Sequence, residues 1–256
     1  MSLTKQKKPN TQIVTDADAL AHKCLDLFVA SVEESIKQRD AFYLAISGGR
    51  SPQRFFEIIG SEKKALSLPW DKIHLFWVDE RYVPHDSQYS NYKLAADTFL
   101  TKVPIPKENI HPIPTDFEDF DSAARQYEKT LRSVFNIKSG QLPKFDLIIL
   151  GMGSDGHTGS LFPNTNACFD THTIACVVYL LDQKLPDQML NRITLTHPVI
   201  CAASQIVVLI SGSEKAKTLK EVLAGPPDEI RYPIHVLWPV LDKVLWLIDS
   251  PAAGLI

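Results

Sequence analysis

Short apolar runs alternate with longer amphipathic stretches along this chain. Over 17–37, Leu20, Leu27, Phe28 and Ile36 recur at helical spacing, which predicts a helix. The apolar runs 41–46 and 72–78 read as strands. Between them, 52–59 reads as a helix with Ser51 as N-cap and Pro52 in the first position, where the missing N–H costs nothing. Helices are expected over 89–100 and 120–135, and the strongest strand signal lies at 144–150. Beyond it come strands near 173–180 and 193–196, a short helix over 198–203 and a strand over 205–210. A helix over 214–223 and a final strand over 243–248 follow. Strands separated by helical segments imply an α/β fold, a largely parallel sheet with helices on both faces. The Pro-containing stretches 103–114 and 223–233 read as connections. The expected organisation is a flexible tail over 1–12 and a single domain over 13–256.

Composition narrows the classes of function. A formal net charge of -3 argues against non-specific nucleic-acid binding, which needs a basic face. A local cationic cluster can still dominate a pocket and take an anionic small molecule. The cysteines Cys24, Cys168, Cys176 and Cys201 form no C-x-x-C pair and suggest no zinc site, so a reducing, cytoplasmic setting is expected. The first ten residues are polar and lack an apolar signal core. No apolar run approaches the ~20 residues of a membrane span, so no membrane partner is expected.

Four segments carry candidate chemistry. The first, Ser47-Gly48-Gly49-Arg50-Ser51-Pro52, joins a strand to a helix. Two glycines leave backbone N–H groups unobstructed, and a helix N-terminus favours an anion, so this turn suits a phosphate. Arg50 or Arg54 would add formal charge; a plain, well-capped turn is the bland alternative. It is not a Walker A loop, because Gly-Lys-Ser/Thr is absent. The second segment is Asp79-Glu80-Arg81, directly after a strand and followed by Ser90-Asn91-Tyr92. Such a charged triplet taken alone reads as a solvated loop, but the C-terminal end of a strand is where open α/β sheets bind ligands.

The third segment, Gly151 to Pro163, reads GMGSDGHTGSLFP. Gly151, Gly153 and Gly156 satisfy G-x-G-x-x-G, yet no acid sits clearly at the end of the next strand, Asp182 being the nearest and late, so a dinucleotide site is disfavoured. His157 stands beside Asp155, and an imidazole with an ordinary pKa of ~6.5 suits general-base work. The fourth segment pairs Asn191-Arg192-Ile193-Thr194-Leu195-Thr196 with Ser211-Gly212-Ser213-Glu214-Lys215-Ala216. Lys215 in the first turn of a helix opposes the helix dipole unless an anion offsets it.

Taken in order, SGGRSP, DERYVP with SNY, GMGSDGHTGSLFP, RITLT and GSEKA resemble the 6-phosphogluconolactonase family over about 46–219. Two departures are visible: Arg50 stands where the family often has a small hydroxyl residue, and Gly159 where it often has Ala. The resemblance implies a Rossmann-like fold without a bound nucleotide, no metal and no cofactor. It also implies hydrolysis of 6-phospho-D-glucono-1,5-lactone to 6-phospho-D-gluconate in the oxidative pentose phosphate pathway. Its substrate would be a phosphosugar lactone, and the protein a monomer or weak homo-oligomer. On this reading His157 activates water, Asp155 or Asp79 orients it or holds sugar hydroxyls, and Arg81 or N–H groups of the Gly-rich loop stabilise the oxyanion. The phosphate would lie on Ser47, Gly48, Gly49 and Arg50, gripped by Arg192 and Lys215. Glucosamine-6-phosphate deaminases are similar in fold but typically follow Asp-Gly-His with a stretch containing Glu; here Thr158 to Phe162 contains no acid. A non-catalytic sugar-phosphate sensor would need the phosphate grip without His157.

Overall fold

The computed structural model describes residues 8–180 and 190–256. The chain enters through β1 (Asn10–Val14), crosses in α1 (Ala17–Arg39) and returns as β2 (Phe42–Ile46). Helix α2 (Arg50–Ile59) and a short α3 (Lys63–Leu66) lead to β3 (Ile73–Trp77), which Val78 alone separates from β4 (Asp79–Arg81). Then come α4 (Asn91–Ala95), running into a π turn over Ala96–Leu100, and β5 (Ile110–His111). Helix α5 (Phe120–Val134), β6 (Leu147–Gly151), β7 (Ala175–Tyr179) and β8 (Asn191–Leu195) follow. The chain ends through α6 (His197–Ala202), β9 (Gln205–Ile210), α7 (Ala216–Ala224) and β10 (Val244–Asp249).

Seven strands form a wholly parallel sheet in the order β1-β10-β9-β6-β2-β3-β5. Residues 147–150 and 206–210 are buried without a break. Successive strand side chains point to opposite faces, so unbroken burial means that both faces are covered, the expected α/β arrangement. From β2 the chain moves outward to β3 and β5; from β6 it moves the other way, to β9 and β10. The neighbours β2 and β6 therefore mark the switch point, and the loops leaving their C-terminal ends open a crevice.

Three further strands form an antiparallel sheet, β4-β8-β7; β7 and β8 match the strands expected near 173–180 and 193–196, whereas β4 and the antiparallel pairing were not expected. Val78 joins the two sheets. Its N–H donates to the Ile46 carbonyl at 2.9 Å, and its own carbonyl accepts from the Leu195 N–H at 2.7 Å. The Asp79-Glu80-Arg81 triplet is thus a strand with a buried Asp79 and Glu80, not a solvated loop.

Other boundaries also shift. Strand β1 begins at Asn10 and pairs with β10, so residues 10–12 belong to the sheet rather than to the tail expected over 1–12. Helix α2 begins at Arg50, with Gly49 as cap residue at φ 101° and no capping side chain, so Ser51 lies inside the first turn rather than at the N-cap. The connection 103–114 contains β5, and Lys215 sits in a 3-10 turn (Ser213–Lys215) that precedes α7. Helix α1 fits its pattern closely, capped by Asp16, whose carboxylate accepts from the Ala19 N–H at 2.8 Å.

Candidate active site

A cleft of about 180 Å³ opens over the β2–β6 switch point. Ser47, Gly48, Gly49 and Arg50 line it from the loop after β2, and His157 from the loop after β6. Asp79, Arg81 and Arg192 line it from the small sheet, and Lys215 from the loop after β9. Among the described residues, three buried polar atoms without a hydrogen-bond partner belong to residues lining this cleft: Ser47 Oγ, Arg81 Nε and Asn91 Oδ1. Buried polar atoms are nearly always paired, so three orphans converging here identify a place for a polar ligand.

Asp155 stands behind His157. Its Oδ1 lies 2.6 Å from His157 Nδ1 and also accepts from the His157 backbone N–H at 3.1 Å. An ionised carboxylate only accepts, so Nδ1 carries a proton, and in the neutral ring the lone pair is on Nε2. Burial pushes the Asp155 carboxyl up, but the bonds from His157 and its charge outweigh that and hold it below the usual carboxylate range. Gly153 makes the pair possible: a Cβ there would stand 2.1 Å from His157 Nδ1 and 2.5 Å from Asp155 Oδ1. The Gly-x-Gly-x-x-Gly spacing thus serves this turn. No helix opens after Gly156, as a dinucleotide site would require, and Asp182 lies outside the described residues.

The small sheet supplies fixed charge. Arg81 and Arg192 face each other across β4 and β8, a cross-strand pairing of like charges that is unfavourable alone. Arg192 is only 5% exposed; burial, then the charge of Arg81, bring its pKa down to about 10. Its guanidinium lies 5.0 Å above the Phe162 ring, and that ring packs 4.1 Å from the His157 imidazole. Arg81 Nη1 donates to the Tyr89 carbonyl at 2.7 Å. Asp79 accepts from Ser160 Oγ at 2.7 Å and does not touch His157 in this hydrogen-bond network, whereas Asp155 does.

Glu80 turns away from this chemistry. Its carboxylate accepts from the N–H groups of Arg81, Asn91 and Tyr92 and from Ser90 Oγ, at 2.7–3.0 Å. It therefore braces the start of α4 against β4. Burial pushes its pKa up, while these donors oppose the rise.

The turn between β2 and α2 is open. The first turn of α2 has no side-chain cap, so its N–H groups face the cleft side unclaimed by any capping group. A Cβ on Gly48 would stand 1.9 Å from Asn91 Oδ1, so this glycine is needed for close approach. Burial lowers the Lys215 pKa, Glu214 opposes that, and Arg50 adds to it. Arg54, the other candidate cation, instead engages Asp18 at 2.6 Å and Glu57 at 3.1 Å, outside the cleft.

Comparison with known proteins fits this arrangement. The family model for glucosamine-6-phosphate isomerases/6-phosphogluconolactonase matches residues 15–246. The chain belongs to this family. A 6-phosphogluconolactonase of Nostoc sp. (strain PCC 7120 / SAG 25.82 / UTEX 2576) is 37% identical over 96% of this chain and 98% of its own length. The solved 6-phosphogluconolactonase of Trypanosoma brucei superposes with a TM-score of 0.82 at 27% identity, covering 96% of this chain and 98% of that one. A monomeric glucosamine-6-phosphate deaminase superposes with a TM-score of 0.81 at 21% identity, over 96% of this chain and all of its own, and shares the fold.

Several residues of this glucosamine-6-phosphate isomerase/6-phosphogluconolactonase fold that shape the site were not singled out from the sequence. Ser160 and Phe162 lie inside the quoted Gly-rich stretch, and Asn91 within Ser90-Asn91-Tyr92, so each had a local signal. Asp249 had none. At the end of β10 it accepts from Ser211 Oγ and the Gly212 N–H, fixing the loop that carries Lys215.

Proposed function

We propose that this chain hydrolyses 6-phospho-D-glucono-1,5-lactone to 6-phospho-D-gluconate, the step that the oxidative pentose phosphate pathway requires. The observation that carries the reading is the Asp155–His157 pair, with Nδ1 held by the carboxylate, in a cleft walled by cations. Lactone hydrolysis is acyl transfer to water. It needs a base, a donor to the developing oxyanion and a grip on the distant phosphate. His157 Nε2 takes the proton from water as its oxygen attacks C1, and Asp155 fixes the tautomer and steadies the imidazolium that forms. Arg81, with an unclaimed buried Nε–H, donates to the oxyanion. The phosphate lies on the Gly48–Gly49 turn and the start of α2, between Arg192 and Lys215. Asp79, held by Ser160, accepts from a sugar hydroxyl. Collapse of the tetrahedral intermediate breaks the bond to the ring oxygen, which takes its proton from His157.

The deaminase reading is less well supported. The stretch 158–162 offers no carboxylate to open a sugar ring, and its Ser160 is bonded to Asp79. A monomer or weak homo-oligomer in a reducing, cytoplasmic setting completes the proposal; all four cysteines are free thiols. Among the described residues no helix is long and apolar enough to cross a membrane. The decisive assay follows acid release in a pH-stat on fresh 6-phosphogluconolactone, corrected for spontaneous hydrolysis, with ammonia release from glucosamine 6-phosphate measured in parallel. Acceleration with the lactone alone is expected. Ammonia release alone would assign the protein to the deaminases, and phosphosugar binding without turnover would make it a sensor.

A further inference from the structure

Arg50 and Glu214 meet across the mouth of the cleft, Nη2 to Oε1 at 2.9 Å. Both residues line the cleft, and they come from different loops: Arg50 opens α2, and Glu214 immediately precedes Lys215. The Glu214 carboxylate is folded back over Gly212, where a Cβ would stand 2.3 Å from Oε2. Glu214 and Arg50 both act on the charge of Lys215, in opposite directions. An anion thus already sits among the cations that the phosphate is meant to meet. A carboxylate oxygen and a phosphate oxygen make the same kind of charge-assisted bond to a guanidinium.

We propose that Glu214 is a built-in stand-in for the substrate phosphate, and that binding exchanges one anion for the other on Arg50. The proposal rests on the phosphate reading of the Gly48–Gly49 turn. In the free protein Glu214 holds Arg50 at the entrance; when a phosphate monoester enters, the guanidinium turns to it and Glu214 is released to solvent. The exchange is cheap to start because the pair is exposed, with Arg50 side-chain exposure of 82% and Glu214 of 42%. It favours a dianion, because a phosphate brings more charge and more acceptor oxygens than the carboxylate it replaces. Glu214 therefore weakens phosphate binding while raising selectivity against singly charged or uncharged sugars, which cannot displace it.

The test uses the whole protein and two readouts: KM for 6-phosphogluconolactone, and the dissociation constant of inorganic phosphate by calorimetry. Glu214→Gln removes the competing charge and should lower both by about two- to fivefold, the worth of an exposed ion pair. Arg50→Ser placed on top of Glu214→Gln should raise both again, because Arg50 then has no duty except the phosphate. Unchanged phosphate affinity in Glu214→Gln would overturn the proposal. So would a silent Arg50→Ser in the Glu214→Gln background, since Arg50 would then be only the partner of Glu214. The two readings fail separately: if the wild type turns over no lactone but phosphate affinity shifts as described, the exchange stands and the lactonase assignment falls.

Discussion

Strands β6, β9 and β10 bury Leu, Ile, Val and Trp in long runs, whereas the short strands β4 and β8 bury Asp79, Glu80 and Arg192 nearly as deeply, with Arg81 half-buried beside them. The large sheet rests mainly on buried apolar area and its backbone ladder, and so fixes backbone positions whatever occupies the cleft. The small sheet buries apolar residues such as Val178, Ile193 and Leu195 too, but its charges each need a specific partner: four donors for Glu80, Ser160 for Asp79, the Phe162 face for Arg192. One sheet supplies geometry, and the other supplies electrostatics. His157 stands between them, on a loop leaving β6 but packed at a tilt against the ring that also carries Arg192.

The largest effect should come from the residue that belongs to neither sheet. His157→Ala removes the proposed proton acceptor while leaving both frameworks in place. Its kcat on 6-phosphogluconolactone should fall by roughly 10²–10⁴-fold, the usual worth of a general base. Near-wild-type turnover would take His157 out of the proton transfer and place the base elsewhere in the cleft.

Next comes the brace of the small sheet. Glu80→Ala leaves three backbone N–H groups and one hydroxyl without their buried acceptor, and should destabilise the protein by about 2–4 kcal/mol in urea unfolding. The loss should be local first. Amide exchange protection should drop across β4 and α4 while β6 and β9 keep theirs, because nothing in the large sheet bonds to Glu80. Uniform loss across both sheets would show that the two do not behave as separate units.

The same contrast explains what could be read from the sequence. Strand 205–210 was predicted with its observed bounds, and 41–46 and 243–248 to within a residue, because a parallel strand buried on both faces is an apolar run bounded by polar residues. Strand β4 was invisible: three charged residues have no period-2 alternation, and their placement depends on partners 8 to 115 positions away, such as Tyr89 and Thr194. Strand β1 was hidden by polar Asn10, Thr11 and Gln12, whose pairing with β10 only the tertiary structure provides. At the site, glycine punctuation and cap chemistry marked the loops, so Gly48, Gly49, Asp155, His157 and Lys215 were legible as types. The choice of Asp155 over Asp79 as the partner of His157 was not, since both are acids at strand ends and only the fold decides which one faces the ring.

A smaller effect tests the charge that the small sheet buries. Arg192→Lys keeps a cation but gives up the planar fork and the stack on Phe162. Affinity for 6-phosphogluconate should weaken by roughly ten- to hundredfold. The pH dependence sharpens this. Burial disfavours the charged form, so binding weakens as pH rises toward the Arg192 value of about 10. A buried ammonium starts from a lower ordinary value than a guanidinium and should lose its proton at lower pH, moving the alkaline limb of binding downwards in the variant. An identical alkaline limb in both proteins would separate Arg192 from the phosphate.

The finest test concerns the ring that joins the two regions. Phe162 touches the His157 imidazole on one side and the Arg192 guanidinium on the other. Leucine would fill much of the same volume but has no π face. Phe162→Leu should therefore lower kcat through a less fixed imidazole and raise KM through a less fixed guanidinium, each by about three- to tenfold. Phe162→Tyr keeps the face and should restore both. Coordinated movement of kcat and KM, rescued by the aromatic variant, would show that chemistry and phosphate grip are aligned through one side chain. If Phe162→Leu leaves both constants unchanged, the ring only fills space, and the two sheets position base and cation independently.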